Sequence, residues 1–151
     1  MTFFITVPGE ANEDCLYLSI YTPAHATPKS KLSVLFGIHG GGFTSGTALN
    51  ADGTIFAAYT DVVLVTINYR LNILGFAKFP GSDSTGNYGM YDQITALKWV
   101  RDNIGNFGGD PESITITGFS AGECTKNRLH VAWIVCIWGG FIWHLEPLRP
   151  D

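Results

Sequence analysis

The feature that most constrains the fold is a junction near residue 118. Residues 114–117, Ile-Thr-Ile-Thr, form a β-branched run that leads without a spacer into Gly118-Phe119-Ser120-Ala121-Gly122. β-Branched residues suit an extended strand. A serine with glycines two positions to either side suits a sharp strand-to-helix turn that holds its hydroxyl clear of the backbone. The junction therefore calls for a sheet with helices and makes Ser120 a candidate nucleophile, with Gly118 and Gly122 as the residues that let the turn close. An ordinary glycine-rich turn would read the same way, so the surroundings have to decide.

Those surroundings alternate strands with helices and loops. Residues 32–38 and 62–67 are nearly continuous apolar runs, as expected of central strands covered on both faces. Residues 16–22 alternate apolar and polar positions up to Pro23 and read as a further strand. Met90, Ile94, Leu97, Val100 and Ile104 recur at steps of three or four, which predicts a helix with Asn87 at its N-cap and an end at Phe107-Gly108-Gly109-Asp110-Pro111. Residues 40–53 and 75–89 read as loops, and 55–59 as a short helix. The pattern predicts an α/β fold with a mixed, mostly parallel sheet.

Composition narrows the function. With 46% hydrophobic and 15% charged residues, the 151-residue chain is expected to bury a core in one domain. A net charge of −4 with scattered Lys and Arg offers no track for a phosphate backbone, so no nucleic-acid partner is expected. Cys15, Cys124 and Cys136 make no Cys-x-x-Cys unit, and neither a metal nor a cofactor is expected. Residues 1–7 lack the positive start and the length of a secretion signal. Residues 131–145 are apolar and carry Trp133, Trp138 and Trp143, but Gly139-Gly140 interrupts them and they are short for a membrane-spanning helix.

A second glycine-rich stretch, His39-Gly40-Gly41-Gly42-Phe43, directly follows the run 32–38. Attack on an ester carbonyl builds charge on oxygen, and backbone N–H groups brought close by side-chain-free residues can receive it. A phosphate-binding loop fails on spacing, because the Gly-x-Gly-x-x-Gly pattern begun at Gly40 ends on Ser45 and no Gly-Lys-Ser/Thr is present. Loop and elbow together read as two halves of an acyl-transfer site.

Over residues 12–122 the chain resembles the type-B carboxylesterase and cholinesterase family of the α/β-hydrolase fold. The resemblance is carried by Glu13-Asp14-Cys15-Leu16-Tyr17-Leu18, the loop from His39, Asn68-Tyr69-Arg70-Leu71, Gly86-Asn87-Tyr88-Gly89 and Asp92-Gln93. It continues through Trp99-Val100, Asp102-Asn103-Ile104, residues 107–111 and residues 118–122. It implies hydrolysis of a small-molecule carboxylic ester through an acyl-serine intermediate, without cofactor or metal. Ser120 would be the nucleophile, and the N–H groups of Gly41, Gly42 and Ala121 the oxyanion hole. His39 would fix the loop and not act as base. Phe119 stands where the family usually has a glutamate, which implies reduced efficiency. Cys15 matches a cysteine that in the family pairs with one upstream, and no upstream cysteine is present. Family members are often secreted. A non-catalytic, cholinesterase-like adhesion module is the alternative, against which the retained Ser120 argues.

From Glu123 the resemblance stops, dividing the chain into a partial carboxylesterase domain, 1–122, and an unrelated apolar tail, 123–151. The family's acid and histidine follow the serine in chain order. Here the later acids Glu123, Glu146 and Asp151 and the histidines His130 and His144 sit in no family motif. The expectation is thus a C-terminally truncated α/β-hydrolase fold lacking the triad's acid and base. Its last sheet edge should be unpaired and its apolar surface exposed, and alone it should have little or no activity.

Overall fold

The structure, a computed structural model, describes residues 12–81, 83, 85–126, 134–138 and 141–145. The continuous apolar runs become β2 (Leu32–Ile38) and β3 (Val62–Ile67), with the boundaries their sequences suggest. The alternating run is shorter than its pattern: β1 covers Leu18–Tyr21. Tyr17 is already engaged outside the strand, its carbonyl accepting the Asn68 N–H at 3.0 Å. Between β2 and β3 lie a 3₁₀ turn (Ala48–Asn50) and α1 (Thr54–Tyr59).

A short helix, α2 (Asn72–Phe76), occupies a stretch without helical periodicity. It is held from outside, because the Asn72 N–H donates to the Phe43 carbonyl at 2.8 Å. The long helix α3 (Tyr88–Asn103) follows, continued by a 3₁₀ turn (Ile104–Phe107). Asn87 does sit at its N-cap, but with φ 57° in the left-handed region and no capping bond from its side chain. Its backbone carbonyl takes the Met90 N–H instead, at 3.0 Å. β4 spans Gly109–Gly118, well beyond its β-branched core, and α4 (Ala121–Lys126) starts right after Ser120.

The strands form one mixed sheet in the order β1-β3-β2-β4-β5-β6, where β5 is Ile134–Trp138 and β6 is Phe141–Leu145. β2 runs parallel to both of its neighbours, with Phe36 opposite Val65 on one side and Ile116 on the other. β1 is antiparallel to β3, and β6 to β5. The expected unpaired edge on β4 is absent, since β5 pairs with it in parallel through Ile116 and Ile134. The reason is chemical: the apolar tail can extend the sheet, so the row of exposed backbone groups on β4 gains a partner. Among the described residues no helix is long and apolar enough to cross a membrane.

Side chains alternate across a strand, so the sheet has two unlike faces. Val34, Phe36 and Ile38 share one face with Val63, Val65, Ile67 and Ile116, and pack with Leu97, Val100 and Ile104 into the main buried cluster. The other face carries Leu35, Gly37, Leu64, Thr66, Thr115 and Thr117, bordered by a Ser33–Ser113 hydroxyl pair at 3.1 Å.

Candidate active site

β2 and β4 lie side by side and end together, with Ile38 opposite Gly118. Their following loops therefore leave the same sheet edge, at the point where the connections from β2 and β4 diverge. In α/β sheets this is the ordinary place for a ligand crevice. The Phe119 N–H donates to the Ile38 carbonyl at 3.3 Å and ties the start of the elbow to the end of β2.

The elbow itself is tight. Ser120 is exposed and sits at φ 54°, a left-handed conformation that a non-glycine residue adopts only when its surroundings hold it there. A Cβ on Gly118 would collide with the Gly122 carbonyl group, and one on Gly122 with the Ile38 carbonyl. These two close approaches explain why both flanks are glycine. The Ser120 carbonyl accepts the Glu123 N–H at 3.0 Å and starts α4.

The glycine loop packs directly on this turn. A Cβ added to Gly40 would lie 2.6 Å from the Phe119 carbonyl oxygen and 3.2 Å from the Ser120 Cβ, so only a bare backbone can come this close. Gly41 and Gly42 both have positive φ, 114° and 62°. The Gly41 carbonyl points back into its own loop, accepting the N–H groups of Thr44 at 3.0 Å and Ser45 at 3.1 Å. Among the described residues the N–H groups of Gly41 and Gly42 have no backbone acceptor. Ala121 opens α4, where an N–H has no intrahelical partner.

Beneath the loop lies His39. Its ring stacks on Tyr69, centroids 4.4 Å apart, and its Nδ1 lies 2.8 Å from the Gly40 carbonyl. A carbonyl can only accept, so Nδ1 carries the proton. Burial lowers the His39 pKa from its ordinary value, partly offset by that bond to Gly40. The Tyr69 hydroxyl donates to the His39 carbonyl at 2.9 Å, and burial pushes its own pKa up to about 12. His39 is thus a neutral strut of the loop, with one ring nitrogen already spent.

Three supports were not legible from residue spacing. Arg70 makes a two-pronged pair with Asp92, Nε to Oδ2 at 2.8 Å and Nη2 to Oδ1 at 2.6 Å, and its own N–H also reaches Oδ2 at 3.0 Å. Asn68 accepts the Ala48 N–H at 2.7 Å and donates to the Cys15 carbonyl at 2.9 Å. Phe43 meets Phe76 edge-on at 4.9 Å. All lie in stretches that the family resemblance marked or bordered, but their partners are far away in sequence.

His25 lies 3.2 Å from Asp61, both exposed. Glu123 is half-buried in α4. His144 stands on β6 opposite Val135, while His130, Glu146 and Asp151 lie outside the described residues. Cys15 and Cys124 are free thiols, and among the described residues no group of side chains is placed to hold a metal ion.

The sequence profile of the carboxylesterase family matches residues 3–129, beyond both ends of the stretch on which the resemblance rests. Liver carboxylesterase 1F of Rattus norvegicus is 57% identical over 133 residues, covering 82% of this chain and 24% of the relative. Cocaine esterase of Oryctolagus cuniculus is 55% identical over 120 residues, covering 80% and 22%. Among solved structures, a thermophilic pNB esterase superimposes with TM-score 0.73 at 43% identity, over 81% of this chain and 26% of that one. Aspergillus niger EstA gives TM-score 0.74 at 39% identity, over 86% and 26%. The chain thus spans about a quarter of the length of these relatives. Profile, identity and superposition agree with a glycine loop and a serine elbow at neighbouring strand ends of an α/β-hydrolase sheet: the chain belongs to the carboxylesterase family.

Proposed function

We propose that this chain carries the acyl-transfer half of a carboxylic-ester hydrolase. Ser120 Oγ would attack the ester carbonyl, and the N–H groups of Gly41, Gly42 and Ala121 would receive the charge on its oxygen. The alcohol would leave as an acyl-serine forms, and water would then release the acid. The observation that supports this reading is the close approach of Gly40 to the Ser120 turn, which joins a glycine loop with positive φ at Gly41 and Gly42 to a strained, exposed serine. The substrate would be a small carboxylic ester.

For the described side chains, proton removal is the weak step. His39 has its Nδ1 proton committed to the Gly40 carbonyl, and His25 faces Asp61. Neither is free to form a triad with Ser120. With nucleophile and oxyanion donors but no oriented base among the described side chains, an enzyme keeps a residual advantage of about 10³- to 10⁴-fold over water. The proposed boundary of the partial carboxylesterase domain at residue 122 gives the matching experiment. Hydrolysis of p-nitrophenyl acetate is measured for the chain, for Ser120→Ala, and for a chimera in which the C-terminal part of a full-length relative follows Gly122. The chain should show slow turnover that Ser120→Ala removes, and the chimera should be faster by orders of magnitude. Turnover in Ser120→Ala equal to that of the chain would refute the role of Ser120.

A further inference from the structure

The two edges of the sheet are unlike. At one, β1 is only four residues long, is preceded by the acidic Glu13-Asp14 and by Tyr17, whose carbonyl is taken by the Asn68 N–H, and is followed closely by Pro23. Short length, nearby charge and proline are the usual means by which an edge strand is kept from pairing with another chain. At the other edge stands β6, Phe141–Leu145, which pairs with β5 alone among the described residues. Its sequence, Phe-Ile-Trp-His-Leu, contains no proline, lysine, arginine or carboxylate and is mostly aromatic or β-branched, the residue types that favour a strand. The sequence after it carries Pro147 and Pro150, which lack the N–H that a further ladder strand would need.

The register of the hairpin tells which backbone groups of β6 face outward. Trp138 pairs with Phe141 across a two-residue connection, and the pairs Ile137–Ile142, Cys136–Trp143, Val135–His144 and Ile134–Leu145 follow without a slip. In such a hairpin the residues flanking the turn exchange hydrogen bonds, and bonded and non-bonded pairs then alternate along the strands. Phe141, Trp143 and Leu145 therefore turn their N–H and C=O toward β5, and Ile142 and His144 turn theirs to the open edge. That spacing is self-complementary. A second β6 related by a two-fold axis at Trp143 sets Ile142 opposite His144 of the second copy and His144 opposite its Ile142, each pair exchanging both of its hydrogen bonds.

We propose that the chain forms a symmetric dimer by antiparallel pairing of β6 with β6 of a second copy, so that one sheet runs through both. The contact is isologous and leaves neither β6 free, so it closes at two copies. It uses neither the glycine loop nor the elbow and is independent of the proposed ester chemistry.

Sedimentation of the whole chain across a concentration series should show a monomer–dimer equilibrium. Ile142→Pro and His144→Pro each remove an outward N–H from both copies while leaving the bonds to β5 in place. Each should weaken dimerisation about tenfold or more, as expected for two lost hydrogen bonds, with circular dichroism reporting whether the parent fold is kept. A pair of cysteine variants tests the register without proline, in a background of Cys15→Ser, Cys124→Ser and Cys136→Ser. Trp143→Cys places two thiols across the axis on a non-bonded pair, where Cα atoms lie about 4.5 Å apart, so mild oxidation should give a covalent dimer. Ile142→Cys stands opposite His144 of the second copy, and its own counterpart lies further along the strand, beyond the roughly 7 Å reach of a disulfide. It should not cross-link. A monomer at every concentration, parent-like association of a folded proline variant, equal cross-linking of the two cysteine variants, or growth beyond the dimer would overturn the proposal.

Discussion

The two faces of the sheet are built from the same strands and have little else in common. Toward α3, Val34, Phe36, Val63, Val65 and Ile116 are all at most 1% exposed, and a long helix seals them. On the other face Leu35, Gly37, Thr115 and Thr117 are only half-buried, and the short α1 and a 3₁₀ turn leave a cavity. Neighbouring residues of β2 and β4 thus live in a dry core and at a half-open wall, whereas in β3 Leu64 and Thr66 are buried as well. Cohesion comes from the first face, and the second is the more open one. The loop and elbow stand at the edge between them, anchored on the tight side by Tyr69 and open on the other by Phe119.

The sharpest way to break this contrast is to cut one large side chain from each face of β2. Phe36→Ala should cost about 3–5 kcal/mol, the usual range for emptying a packed aromatic site. Leu35→Ala, one residue away, should cost about 1 kcal/mol because its side chain is only partly removed from water. Denaturant unfolding of both variants measures the difference, and equal losses would show that the second face is as well packed as the first.

A smaller effect is expected at the tie between α3 and the segment after β3. The Asp92 side chain is 7% exposed and accepts three bonds from Arg70, whose side chain is 39% exposed. Asp92→Ala should destabilise by about 2 kcal/mol, in line with hydrogen bonds to charged groups. Part of the Arg70 charge can still turn to solvent. If the tie serves the α3 face alone, the losses of Asp92→Ala and Leu35→Ala should add in the double variant, a second readout that sharpens the comparison.

The smallest effect concerns His39, where the two faces meet. Burial lowers its pKa below the ordinary 6.5, so between 6.5 and the folded value the unfolded chain binds a proton that the folded chain does not. Its contribution to stability is complete above pH 6.5 and is lost as pH falls toward the folded pKa. Tyr69, pushed to about 12, stays neutral throughout and adds nothing to this slope. Melting temperatures of the parent and of His39→Asn between pH 7.5 and 5 should converge toward the acid end. A constant gap would show that the stack on Tyr69, and not the proton, carries the role of His39.

Much of the candidate site could be read from letters because each of its parts is local. Gly118, Ser120 and Gly122 mark the elbow, and Gly41 and Gly42 mark a loop that needs positive φ. Its supports could not be read this way. His39 on Tyr69, Arg70 on Asp92 and Asn68 on Ala48 join residues 20 to 30 positions apart. Such pairs leave no periodic trace. The tail showed the same limit: its apolar character was plain, but whether it would leave β4 bare or extend the sheet was not.

By itself, then, the sequence determined β2, β3 and α3, whose apolar periods are properties of consecutive residues, and the residue types of the loop and elbow. Tertiary structure alone decided that β2 would lie between β3 and β4, so that Ile38 meets Gly118 and Gly40 meets Ser120. It also decided which side of each strand would be dry, and that Asn87 would turn left-handed in place of capping α3 with its side chain. The physical reason is range: a hydrophobic period selects an element from its neighbours in the chain, whereas strand order and burial depend on contacts that exist only after distant segments have met.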